Sequence, residues 1–429
     1  MDRSDLALMS KEELVEAYLV LQARFQRPAK TSRTSSKPPS TDKKARREHA
    51  KPGGAKPGHE GHCRALHENP DKIVDHRPDV CPHCHSQLDN DLAGDIAGEY
   101  DAIEIPPIAP FVVRHRRLCV SCPHCSAQVK SALPEAAHGS PFGPRLHGLA
   151  LYLKTYHAVS FIRLEAMFED LFGLKISQGA LANMLKRSHK PFADRKTDII
   201  KELRRADVVA SDETGIRIEG LNGYHWVFMS KQAIVHEAQL SRAAQVVRDV
   251  MGEYRPKVWL SDGYSAQQGH GEYHQTCLAH LARDVAYAVE ASGDMVPFRL
   301  KMWLDRVFQL ARDITTFAAS TVKTKRRELE STLSDILATR PTCDIAETIR
   351  AKLARASPRL LTFLDYTGEV DVTNNGCERA LRPAVIQRKV TNGFRSMWAA
   401  KGDCAVRTVV DTQKLAGTPP FQTIFTTLA

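Results

Sequence analysis

Two identical tetrapeptides constrain this chain more than any other feature: Cys81-Pro82-His83-Cys84 and Cys122-Pro123-His124-Cys125. Two thiolates at that spacing grip one metal ion from a tight turn, and a second pair completes a tetrahedron. Six of the ten cysteines (Cys63, Cys81, Cys84, Cys119, Cys122, Cys125) lie between 63 and 125. The N-terminus, Met1 to Glu13, carries acids and no apolar stretch of the kind a secretion signal needs. The cysteines therefore read as reduced metal ligands in a cytoplasmic protein, not as a disulfide framework. The repeated Pro-His insert predicts Zn²⁺ on Cys81, Cys84, Cys122 and Cys125. Cys119 stands at the same spacing from Cys122 and is the alternative ligand. Between the pairs, Tyr100–Ile105 and Phe111–Arg116 read as strands, a zinc-ribbon layout over 67–133 decorated by Arg114, Arg116 and Arg117.

Charge is concentrated next to this module. The chain has 429 residues, with 60 Lys and Arg against 50 Asp and Glu. Residues 27–58 hold ten of the bases (Arg27, Lys30, Arg33, Lys37, Lys43, Lys44, Arg46, Arg47, Lys51, Lys56) and two acids, Asp42 and Glu48. That stretch has no Leu, Ile, Val, Met or aromatic residue, so it cannot bury a core and reads as a basic disordered linker, 28–66. A cationic arm is a sequence-independent nucleic-acid ligand through counterion release. Ahead of it, Leu14, Tyr18, Leu21 and Phe25 form a heptad seam on a helix within 1–27, although two heptads fall short of a coiled coil. No run reaches the ~20 apolar residues of a membrane helix.

Beyond 134 the pattern is helical to 206. Residues 160–172 are apolar-periodic, Gly173 breaks the pattern, and Ser177 caps a second helix, 178–188. The pair reads as a helix-turn-helix that would offer Gln178, Asn183, Lys186 and Arg187 to DNA; small helical bundles share the pattern. From 207 strands take over: Val208–Thr214, Tyr224–Met229, Ala233–Glu237, a helix at 242–254, then Lys257–Tyr264. Asp212 and Asp262 stand just past two strand ends, at the rim where open α/β sheets place their sites. Residues 294–364 are strongly helical. Asn374 or Asn375 then caps a short helix carrying Glu378, with Arg382 one turn on; alone, those two read as a surface ion pair.

Together the motifs resemble the bacterial DDE transposases of insertion-sequence family sixty-six over almost the whole chain. The linker Ser35–Ser40 with Lys51–Gly54 and Lys56–His59, the cysteine module, Asp212-Glu213-Thr214, Ser261-Asp262-Gly263-Tyr264 and Asn374–Pro383 match in order. Cys277-Leu278-Ala279-His280 stands where the family has Cys-Trp-Ala-His. Arg388-Lys389 fits, and Gly393-Phe394-Arg395-Ser396 stands where the family commonly reads Phe-Ala-Gly-Ser. The resemblance implies a multidomain α+β chain. Its catalytic core, 207–415, would be RNase H-like α/β with an α-helical insertion at about 294–364, and 416–429 would be a tail. It implies Asp212, Asp262 and Glu378 as catalytic ligands of Mg²⁺ (or Mn²⁺), whose oxygen preference suits carboxylates. Glu213 would face the other side of the strand. Arg379, Arg382, Arg388 and Lys389 become phosphate contacts or structural residues, and Cys277 with His280 a small metal or packing site. The expected function is a transposase, nucleoid-associated, that cleaves element ends and joins 3′-OH groups to target double-stranded DNA. It would work as a homo-oligomer with accessory proteins of the same element. The alternatives are a catalytically silent DNA-binding protein and an RNase H-like nuclease or resolvase.

Overall fold

The computed structural model describes residues 9–25, 27–35, 42, 54, 58–61, 64–89, 91–132 and 140–428. Most of the cationic segment and its linker motifs, Cys63, and the side chains of Leu21 and Phe25 lie outside the described residues. The chain divides into two units, Lys44–Pro110 and a larger one of Met1–Lys43 with Phe111–Ala429.

The described part of the smaller unit has one antiparallel bridge, Val80 to Gln87, and no helix or longer strand. The strand expected at Tyr100–Ile105 is absent. Alternation makes a strand only when a neighbour takes its hydrogen bonds; here Tyr100 and Ile105 are exposed, and Pro106 and Pro107 follow at once without amide donors.

In the larger unit, α1 (Lys11–Phe25) begins at a capping box. The Glu13 amide donates to Ser10 Oγ at 3.2 Å, and the Ser10 amide to Glu13 Oε2 at 2.7 Å. Leu14 and Tyr18 of the heptad seam are exposed. The strand expected at Phe111–Arg116 is also absent, with Phe111 93% exposed. A short hairpin, β1 (Cys119–Ser121) and β2 (Gln128–Lys130), follows instead.

Helix α2 (Pro144–Leu151) runs into a π turn, Tyr152–Tyr156. Helix α3 (Phe161–Phe172) starts where Ser160 accepts from the Arg163 amide and stops at Gly173, φ 63°. Ser177 caps α4 (Gln178–Leu203) by accepting from the Ala180 amide. This helix continues well past the expected end at 188. Its later turns carry Phe192, Ile199 and Leu203 into the core under the sheet, so burial sustains what propensity alone would not. The second half of α4 is thus a core helix, and the exposed Gln178, Asn183, Lys186 and Arg187 lie on its first half.

The sheet comprises β3 (Val208–Ile218), β4 (Leu221–Met229), β5 (Ile234–Gln239), β6 (Val258–Ser261) and β7 (Tyr273–Thr276), with α5 (Gln245–Met251) between β5 and β6. Its order is β5-β4-β3-β6-β7. The first three strands form an antiparallel meander; β6 and β7 add in parallel to β3. Strand β7 has no apolar pattern. It is held by polar bonds instead: Gln275 Nε2 donates to Leu360 O at 3.1 Å, its Oε1 accepts the Phe363 amide at 2.8 Å, and Thr362 Oγ1 donates to His274 O at 2.8 Å.

Helices α6 (Leu278–Ala291), α7 (Met295–Asp313), α8 (Ala319–Ala338) and α9 (Asp344–Ala356) form the long helical stretch after β7. Helices α10 (Asn375–Thr391), α11 (Met397–Leu415) and α12 (Pro420–Leu428) close the chain. Trp226 and Phe228 of β4 pack with Phe192, Val406, Val409 and Ile424 on one face of the sheet. Val227 packs with Cys377 and Leu381 of α10 on the other. Residues 420–428, expected as a tail, therefore end in a helix with Ile424 fully buried. No helix among the described residues is long and apolar enough to cross a membrane.

Candidate active site: an acidic rim and two cysteine knuckles

The parallel register between β3 and β6 ends at the pair Ala210–Leu260. Asp212 and Asp262 each stand two residues beyond it. Asp262 follows the last residue of β6, as expected. Asp212 does not follow a strand end: β3 continues to Ile218 because β4 keeps pairing with it after β6 has left. Loss of the β6 neighbour opens the sheet edge at Asp212. Glu378 arrives from the far end of the chain, in the first turn of α10, where the helix N-terminus favours an acid. Cys377 and Leu381 on the same helix dock against Ala210, Val227 and Met229, which puts Glu378 at the same rim.

The three acids act on one another. Asp212 is pushed up to about 8 by burial first, then by the negative charges of Glu213, Asp262 and Glu378. Burial and crowding thus favour its neutral form. Glu378 has two basic neighbours on α6: Arg283 Nη2 at 3.5 Å and His280 Nε2 at 3.8 Å. Among the described residues no three His, Cys, Asp or Glu side chains stand close enough to hold one ion together. The acids share a field without forming a closed cage.

The surroundings explain how these groups are held. The Asn374 amide donates to Cys277 Sγ at 3.1 Å, and His280 Nδ1 lies 3.5 Å from the same sulfur. Burial raises the Cys277 thiol and keeps it protonated. Cys277 and His280 thus join the start of α6 to the start of α10. Asn374 caps α10 by position but not with its side chain, which donates instead to Ser211 O at 2.8 Å, tying the Glu378 helix to β3. Arg388 donates to the carbonyl of Gly215, so it braces α10 against β3; Arg379, Arg382 and Lys389 are exposed. Phe394 bridges to Ile218. The preceding Gly393, at φ 107°, leaves no room for a Cβ, which would meet Arg217 O at 2.3 Å. Arg242, Gln267 and Arg283 escaped the sequence reading. Arg283 one turn after His280 was a readable signal; Arg242 gave none.

The two tetrapeptides fold alike. In each, the first Cys amide donates to a carbonyl five residues on (Cys81 to Ser86 at 2.9 Å, Cys122 to Ala127 at 2.8 Å). Its own carbonyl accepts the amide of a residue in the left-handed region, His85 (φ 59°) or Ser126 (φ 58°). Bonds from Ser86 lower the Cys84 thiol, and the amides of His124 and Cys125 lower Cys122, favouring the thiolate that a metal needs. Cys119 lies outside the second knuckle, in β1, with its sulfur on Gln128 Oε1 at 3.2 Å.

Two family models match this arrangement. Residues 78–126, which contain both knuckles, match the zinc-finger binding domain of transposase IS66. Residues 139–402, which contain all three rim acids, match the transposase IS66 family. The second match covers more than half of the chain, and the protein belongs to the IS66 family of transposases. Among curated proteins none matches the chain.

Proposed function

We propose that the chain is an active transposase of the DDE type, with Asp212, Asp262 and Glu378 as its catalytic carboxylates. The observation that carries this reading is geometric: Asp212 and Asp262 each stand two residues past the last β3–β6 pair, and α10, docked on β3 and β4 through Cys377 and Leu381, carries Glu378 in its first turn at the same rim. Carboxylates repelling one another at a sheet rim are a donor set of hard oxygens matched to Mg²⁺ or Mn²⁺. A bound pair of such ions supplies an activated oxygen nucleophile and stabilises the leaving oxygen of a phosphodiester. Asp212, Asp262 and Glu378 would hold the ions through their carboxylate oxygens. Arg283 and His280 hold Glu378. The strand order, with its meander followed by two parallel strands and a carboxylate helix, supports an RNase H-like core. Water would open the element ends and leave 3′-OH groups, which then attack target DNA.

In the same reading Cys81, Cys84, Cys122 and Cys125 hold Zn²⁺, and the knuckle module with the exposed Arg379, Arg382 and Lys389 contacts DNA phosphates. The protein would act as a homo-oligomer on DNA, with accessory proteins of its element. The test is end cleavage by zinc-loaded protein on labelled duplex carrying its own element end with Mg²⁺. Asp262→Ala should lower cleavage by at least about a thousandfold, several kcal/mol of transition-state stabilisation. Tight binding with no Mg²⁺- or Mn²⁺-dependent cut would favour the silent DNA-binding reading. Cutting without joining would favour the nuclease.

A further inference from the structure

Glu213 is the acid of the first block that the proposed reaction leaves without a task. Cross-strand pairing puts Asp212 opposite Val227 and Glu213 opposite Trp226, so the two acids point to opposite faces of β3. The Glu213 side chain is 2% exposed, yet both its oxygens are occupied. Oε1 accepts from Arg242 Nε at 2.8 Å and lies 2.7 Å from Arg242 Nη2; Oε2 accepts from Gln267 Nε2 at 2.7 Å. A buried carboxylate so bonded is not available as a metal ligand.

Its partners converge on the segment that carries Asp262. Gln267 ends the short 3-10 turn Ser265–Gln267 just after Asp262. The Arg242 guanidinium lies 4.0 Å over the Tyr264 ring, and the Tyr264 hydroxyl donates to Arg242 O at 3.2 Å. The Tyr264 amide donates to Asp262 Oδ1 at 2.9 Å, and Gln268 Nε2 to Asp262 O at 3.0 Å. One buried carboxylate on β3 therefore bolts the Asp262 loop from two sides, one residue away from Asp212.

We infer that Glu213 and Arg242 are positioning residues: through Tyr264 and Gln267 they preset the Asp262 carboxylate relative to Asp212 for a divalent cation. The inference rests on the metal-dependent reading above. A ligand on a loop must otherwise be ordered when the ion arrives, and partners that orient a ligand are worth about 10–100-fold in metal affinity. Neighbouring acids in Asp212-Glu213 then divide the work, one holding the ion and the other holding the loop that brings the second ligand.

The test is Mn²⁺ binding to full-length, zinc-loaded protein, read from the electron paramagnetic resonance signal of the free ion, with thermal unfolding measured alongside. Asp262→Asn should abolish the rim's Mn²⁺ binding. Glu213→Gln and Arg242→Ala should weaken it about tenfold. Arg242→Lys should fall between, because it keeps the charge but not the fork. Tyr264→Phe removes one hydroxyl bond and no charge, so it should weaken binding in the same direction even if Arg242→Ala fails to fold. Wild-type Mn²⁺ affinity in folded Glu213→Gln and Tyr264→Phe, with Asp262→Asn inactive in binding, would overturn the positioning role and leave the metal reading standing. Wild-type affinity in Asp262→Asn would overturn the metal reading and the inference with it.

Discussion

The cysteine knuckles and the acidic rim are built in opposite ways. Each knuckle closes within a few residues, and its turn is repeated bond for bond in the second copy, down to a left-handed residue after the second cysteine. The rim gathers Asp212 from a strand, Asp262 from a loop and Glu378 from a helix on the far side of a long helical stretch. A knuckle turn needs little beyond its own sequence. The rim needs the whole sheet, two faces of packing and the docking of α10. A local site should respond to its metal, and an assembled site to distant packing.

Chelation is the strongest way to break that contrast. Structural zinc in small fingers carries apparent binding energies of about 10–16 kcal/mol, so stripping it should unfold the knuckle module. The thermal midpoint of the sheet domain should stay put, and Cys119→Ser should bind zinc like wild type while Cys122→Ser does not. Zinc stoichiometry and two-probe thermal melts would show it; a common collapse of both signals would erase the distinction.

Next comes Arg407, buried with only 3% of its surface exposed. Its guanidinium bonds Asp403 Oδ2 at 2.7 Å, Gln387 Oε1 at 2.6 Å and Thr155 O at 2.7 Å, joining α11 to the Glu378 helix and the π turn. Arg407→Ala leaves Asp403 buried without its charge partner and should cost about 3–5 kcal/mol. Urea melts should show that loss with zinc content unchanged; a loss below about 1 kcal/mol would contradict it.

Acid should separate the regions further. Burial lowers His274 to about 4 and His225 well below 6.5. His225 Nε2 faces His236 Nδ1 at 2.9 Å, and His236 Nε2 faces Asp411 Oδ2 at 3.0 Å. Above pH 6.5 both folded and unfolded chains keep His274 and His225 neutral, and the contribution of these two rings to stability is complete. Below it the unfolded chain takes protons that the folded one refuses, so stability falls until about pH 4. His274 alone accounts for roughly 3 kcal/mol over that span. Denaturant midpoints of chelated protein between pH 7 and 4 would test this, with His274→Gln flattening the slope.

The last effect concerns Asp212. Its folded value near 8 exceeds the ordinary 3.8, so the contribution of Asp212 to stability is greatest at acid pH, opposite to that of the histidines, and declines as pH rises from 3.8 to about 8. Asp212→Asn should stabilise the metal-free protein at pH 8.5 by several kcal/mol, and not at pH 4. Mg²⁺ should stabilise wild type and not this variant. An unchanged melting point at pH 8.5 would mean the rim acids do not crowd one another.

Local chemistry carried much of this in the open. The knuckle turns, the caps at Ser160 and Ser177, the stop at Gly173 and the runs that become β3 to β6 are written in adjacent residues, because short-range bonds and periodicity decide them. The same rules failed at Tyr100–Ile105 and Phe111–Arg116, where alternation had no partner strand, and at β7, whose hold is Gln275 reaching residues far along the chain. They stopped α4 at 188, since the apolar contacts that extend it lie across the sheet.

The sequence by itself determined the donor types: sulfur pairs at knuckle spacing, and carboxylates in three separated blocks. Only the tertiary structure decided what each acid experiences. It placed Asp212 where β6 leaves β3, so that burial and neighbouring charge hold its proton. It gave Glu213, which strand alternation already turns to the opposite face, the grip of Arg242 and Gln267. It drew Arg388 onto the Gly215 carbonyl and left Arg379, Arg382 and Lys389 in solvent. The reason is distance: charge, burial and hydrogen bonding act through space, and the residues that supply them here are far apart along the chain.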